Sequence, residues 1–184
     1  MMKRCKAGLG KYVYTEWMIP VRDYYGSIRK NEVAFEIIFP AVCAIGGTFW
    51  YYRIGKLFAA LDGLSDLLPT AISILIGFTI MLITLLLTGN GENMNKLKTT
   101  MSHKLLYGKK VNIFQGLHIQ FTHSLFSEIV LLLLVFAYLF WSGIGMFVKV
   151  AVIFLTIEIY LILNILLSIL RGVTSLYFSF YHGE

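Results

Sequence analysis

Residues Leu67 to Thr88 read LLPTAISILIGFTIMLITLLLT, 22 positions without a charge. At about 1.5 Å rise per residue this run makes roughly 33 Å of helix, close to the ~30 Å hydrocarbon core of a bilayer. A soluble domain can bury one such helix but rarely needs several. Three further runs share the pattern: Val33–Leu57, Leu125–Phe147 and Lys149–Leu170. They predict an all-α membrane protein with four transmembrane helices.

Composition agrees. The chain has 184 residues, 58% hydrophobic and 14% charged, with mean hydropathy +0.74. Soluble domains carry about 25% charged residues. No charge-rich block is long enough for a separate soluble domain. The net charge of +6 in such a chain reports topology and anionic lipid before nucleic acid. Two cysteines, Cys5 and Cys43, make neither a disulfide framework nor a metal clip. The basic N-terminus lacks the apolar core of a signal peptide.

Outward from the opening stretch, Ser65 and Asp66 read as caps that close a short outer loop, Phe58–Asp66, ahead of the second helix. Within the helix Ser73, Gly77, Met81, Thr84 and Thr88 recur at helical spacing, so one side is small or polar. In lipid such a side packs against another helix. The partner is a helix of the same protomer or a second subunit, or the side lines a pore. The first span, Val33–Leu57, is the least apolar. Glu36 lies near its inner end, Pro40 kinks it, Gly46 and Gly47 permit close approach, and Phe49–Arg53 marks an outer interface.

Three domains are expected. Residues 1–32 form a basic aromatic segment, with Arg22, Arg29 and Lys30 beside Tyr24 and Tyr25, lying at the cytoplasmic membrane interface and broken by Pro20. A solvated tail or nucleic-acid contact are the alternatives, and no binding motif supports the latter. Residues 33–171 hold the four helices and a polar loop, 89–124, with Lys96, Lys98, Lys104, Lys109 and Lys110 and a turn at Tyr107–Lys110. From about Asn112 a helix of roughly 30 residues runs unbroken into the third span, with a stub standing in the cytoplasm. Residues 172–184 are an aromatic tail lying back on the inner interface.

The predicted segments place thirteen Lys and Arg on one side and three on the other. The positive-inside bias puts both termini and the central loop in the cytoplasm of a bacterial inner membrane. Membrane lipids, and a cytoplasmic protein docked on the lysines, Arg22, Arg29 and Lys30, are the expected partners; direct nucleic-acid binding is not expected.

Glu158 lies near the middle of the fourth span, where a charge costs at least ~2.5–3.5 kcal/mol. Thr156, Tyr160, Asn164, Ser168 and Arg171 draw a polar stripe down that helix. It serves either as interhelical hydrogen bonding or as a seam lining an ion path or sensor. Glu36 and Glu128, near helix ends, are expected to reach the interface or pair with Lys or Arg. His118 and His123, about 140° apart, do not share a face as a metal pair would and read as polar surface histidines. No hydrolase, zinc or nucleotide motif appears, so no enzyme, metal or cofactor is expected. A transporter would require an inverted repeat, and none is evident.

In size, four spans, N-in topology and a basic central loop, the chain resembles the small four-helix membrane proteins of bacterial anti-phage systems, in particular the membrane component of Kiwa. That resemblance is architectural and carries no residue across. It implies a homo-oligomer, a tetramer, that senses envelope disturbance and recruits a cytoplasmic nucleic-acid-binding effector. The chain also resembles the membrane accessory proteins of some RNA-targeting CRISPR effectors, which would imply a pore that depolarises the membrane.

Overall fold

The computed structural model describes residues 18–28 and 30–181, with the side chains of all of these except 30, 31, 93, 103, 104 and 179–181. Among them, four helices are long and apolar enough to cross a membrane: Ala34–Arg53, Leu57–Thr88, Ile113–Ser142 and Val148–Phe178. Their outer surfaces are apolar. Leu133 is 62% exposed and Phe140 77%, a pattern that water penalises and hydrocarbon accepts.

The chain runs α1 (Ile19–Ser27), α2 (Lys30–Val33), a π-helical turn (Ala34–Ile38), α3 (Phe39–Arg53), α4 (Leu57–Thr88), α5 (Glu92–Thr99), β1 (Met101–Leu106), β2 (Lys109–Asn112), α6 (Ile113–Ser142) and α7 (Val148–Tyr181). In space α4 packs on α6, α6 on α7 and α7 on α3. Antiparallel passes gather α1, α5, the hairpin and the end of α7 at one end of the bundle, called here the cap end.

Helix α4 contains the opening stretch and corrects the loop expected ahead of it. It begins at Leu57, so Phe58–Asp66 is helix and the connection shrinks to Ile54–Lys56. Gly55 turns that connection at φ +69, a conformation open to glycine. The buried face Leu57, Leu61, Ser65, Leu68, Ile72 continues unbroken through Pro69. Ser65 is no cap; its hydroxyl donates to the Asp62 carbonyl at 2.8 Å. Asp62, which looked like loop, accepts from the Tyr138 hydroxyl at 2.6 Å.

The small face of α4 is also corrected. Ser73, Gly77, Met81, Thr84 and Thr88 are exposed, and a side chain at Gly77 would meet nothing within 4 Å. The helix packs with its opposite, leucine-rich face, so the small face is not an intra-protomer contact. Ser73, Thr84 and Thr88 return their hydroxyls to carbonyls one turn back, which satisfies them without a neighbour.

The polar loop is folded. Met94 and Leu97 of α5 bury against Leu82, Leu86, Leu117 and Phe121. β1 and β2 pair antiparallel, with Leu105 opposite Lys110 and Leu106 opposite Lys109. Tyr107 (φ +50) and Gly108 (φ +76) turn the hairpin, the positive-φ pair that matches strand twist. Asn112 then caps α6 in a capping box: Gln115 N donates to Asn112 Oδ1 at 2.7 Å and Asn112 N to Gln115 Oε1 at 3.2 Å. That helix is 30 residues long, as its pattern predicts.

Two termini of elements differ from expectation. Pro20 sits in the first turn of α1, where its missing N–H costs nothing, so it starts a helix there. The last span does not close at Arg171: α7 continues to Tyr181, and Leu176 packs into the core beside Phe121. Residues 172–181 are therefore helix, not a separate tail.

Candidate functional site

Pro40 has no N–H to give the Glu36 carbonyl, and the backbone widens into the π turn just before it. Asn164 of α7 supplies the missing donor, its Nδ2 reaching Glu36 O at 2.9 Å. The π turn ahead of α3 is thus fastened to the middle of α7. Small residues allow the approach: Ala44 and Thr48 are buried, and a Cβ at Gly47 would sit 3.5 Å from Ile159.

The Glu36 side chain ends in a charged cluster. Arg171 pairs with Glu36 and, at 2.7 Å, with Glu32. The Tyr24 hydroxyl donates to the other Glu36 oxygen at 2.8 Å. A second link ties α6 to α7, where Gln120 Nε2 donates to the Ser168 carbonyl at 2.7 Å. Removing one partner of a buried pair costs about 3–5 kcal/mol, because the other charge stays buried.

Helix α1 works as a strap. Tyr24 stacks on His123 of α6 with ring centres 3.8 Å apart and planes 9° apart, and Tyr25 meets the same imidazole edge-on. His123 is therefore buried, which overturns its place on the surface: α1 lies across α6 and covers it. Burial pushes the Tyr24 and Tyr25 hydroxyls up to about 12. Two residues earlier, Arg22 Nε and Nη2 donate to the Tyr107 hydroxyl at 3.1 and 2.5 Å, and that hydroxyl donates to Asp23 at 2.6 Å. One short helix thus joins the hairpin turn to the charged cluster of the bundle.

Deeper in the bundle two carboxyls are buried. Glu128 lies midway along α6, not near its end, and is fully buried. Its Oε1 accepts from Thr79 at 2.7 Å and its Oε2 has no partner among the described residues. Glu158 is 1% exposed, and neither of its oxygens has a hydrogen-bond partner there.

The stripe on α7 is an interhelical seam over most of its length. Thr156 donates to Thr48 at 3.1 Å, and Asn164, Ser168 and Arg171 join as described; Tyr160 is half-buried. The basic residues gather only in part: Arg22, Lys109 and Lys110 line one groove beside the hairpin, and Lys96 and Lys98 stand apart from it. Lys96 lies 3.9 Å from Glu92, Lys98 sits over the Phe114 ring, and Lys109 and Lys110 are exposed on β2. Arg29 and the side chains of Lys30 and Lys104 lie outside the described residues. Among the described residues no group of three or more His, Cys, Asp or Glu is placed to hold a metal ion.

Sequence reasoning missed Glu32, Gln120 and Thr79, and took Tyr24 only for an interfacial aromatic. One signal was available. Glu32 and Glu36, one turn apart at the start of a span, face the single Arg171 near the end of another, and the even topology puts both at one membrane level. Comparison with protein-family models, with curated proteins and with solved structures finds no match.

Proposed function

We propose that the chain is a non-enzymatic multi-pass sensor or scaffold of the bacterial inner membrane. Its cap end and both termini are cytoplasmic, it assembles as a homo-oligomer, and its basic cap docks a cytoplasmic effector. Anti-phage defence of the kind served by the Kiwa membrane component is the setting. The observation that carries this is the α1 strap. Tyr107 in the hairpin turn and Glu36 in the span are joined through Arg22, Asp23 and Tyr24, so a shift between α3 and α7 would move the exposed face of the cap. The unused small face of α4, with Ser73, Gly77 and Thr84, supports assembly by close helix contact.

The test is co-purification with Lys96, Lys98, Lys104, Lys109 and Lys110 changed to Glu together. A cytoplasmic protein recovered with the wild type and lost from the folded variant is the expected outcome. Unchanged recovery of every protein ends this reading.

A second reading, an oligomeric pore that depolarises the membrane, is favoured by one feature, the two oxygens of Glu158 that have no hydrogen-bond partner among the described residues. A membrane-potential dye in expressing cells separates the two. Depolarisation that Glu158→Leu abolishes favours the pore; none under envelope stress or infection favours the scaffold.

A further inference from the structure

A groove of about 890 Å³ opens between α1, the hairpin and the first turns of α6. Arg22, Lys109 and Lys110 supply its cations, and Leu106, Val111 and Ile119 give it apolar walls. Neither lysine is ion-paired among the described residues. Arg22 spends two of its five N–H donors on Tyr107 and keeps three. Asp23, the acid on this part of α1, already accepts from Tyr107.

The groove also has a defined depth. Helix α6 is about 45 Å long, longer than the ~30 Å hydrocarbon layer. Gln120 bonds the carbonyl of Ser168, one turn short of the Arg171 cluster, and the groove's Gln115 and Ile119 lie on the cap side of that contact. A charged cluster marks where hydrocarbon gives way to headgroups. Cations above an apolar wall at that level match a phosphodiester with the start of an acyl chain; a free phosphate has no use for the wall.

We infer that this groove is a binding site for an anionic phospholipid of the cap-side leaflet, its phosphate held by Arg22, Lys109 and Lys110 and its glycerol end against Leu106, Val111 and Ile119. The groove shares Lys109 and Lys110 with the proposed docking surface, so it is tested without any docked protein. Full-length protein in phosphatidylcholine nanodiscs is titrated with fluorescent phosphatidylglycerol. Lys109→Glu with Lys110→Glu, both exposed, is expected to weaken binding about tenfold or more. Lys96→Glu with Lys98→Glu, away from the groove, is expected to leave it unchanged. Equal binding by wild type and the Lys109/Lys110 variant overturns the proposal. Equal loss in both variants also overturns it, since that reports only general surface charge. Displacement of the lipid by inorganic phosphate at matched ionic strength would make the ligand a soluble phosphate; displacement by an acidic peptide would make it a protein. Either result overturns the lipid assignment.

Discussion

Glu36 and Glu158 are the same residue type in the same bundle, one 5% and one 1% exposed, yet their surroundings are opposite. Glu36 is held by Arg171 and Tyr24, and its carbonyl by Asn164. Glu158 lies where Leu155 and Ile159 pack with Tyr138 and Leu61, and its oxygens find no donor among the described residues. Burial costs both; only the first recovers that cost through hydrogen bonds and charge. The cap end is thus a frame that the fold needs. Glu158 is a group the frame tolerates, so its presence calls for a reason other than stability.

Four measurements of unfolding in detergent or nanodiscs test that contrast. The largest effect is expected from Arg171→Met, which strands Glu32 and Glu36 and costs about 3–5 kcal/mol; adding Glu36→Gln should recover part of it. A small loss on Arg171→Met would mean that the cluster is as dispensable as Glu158.

The second is a pH dependence. Tyr24 rises from 10.0 to about 12 on folding, so the folded state holds its proton more tightly. Its contribution is fully present below pH 10 and is lost as pH climbs from 10 to about 12. The loss is up to about 2–3 kcal/mol. Wild type should therefore lose stability more steeply over that window than Tyr24→Phe. Equal slopes would remove Tyr24 from the frame.

The third is Asn164→Leu, expected to cost about 1 kcal/mol. Pro40→Ala in that background restores an N–H for the Glu36 carbonyl and should recover much of the loss. The smallest effect is expected from Glu158→Gln, within about 0.5 kcal/mol, while Glu158→Leu should raise stability by removing an unsatisfied group. Marked destabilisation by both Glu158 variants would give that carboxyl a structural partner and end the contrast.

The spans were legible because hydrocarbon imposes one rule, a long apolar helix, that composition alone can meet. The start of α6 was legible too, since Asn112 and Gln115 form a local cap. The stretch Phe58–Asp66 was not. Asp62, Gly63 and Asp66 look like loop, and only Tyr138, 76 positions away in sequence, makes Asp62 at home in a helix. His123 misled for the same reason, because the ring that covers it comes from α1. The turn at Tyr107–Lys110 was legible, but the strands on either side went unread because they are short and depend on α1: a Cβ at Gly26 would lie 3.8 Å from Leu106.

The amino-acid sequence by itself determined the solvent, the number of passes and the start of α6, because each follows from residues within about one helix length. Tertiary structure decided which face of α4 is buried, which carboxyls find partners and what the basic segment rests on. Those depend on groups brought together from distant parts of the chain, and a one-dimensional pattern of polar and apolar residues carries no record of which helix will lie beside which.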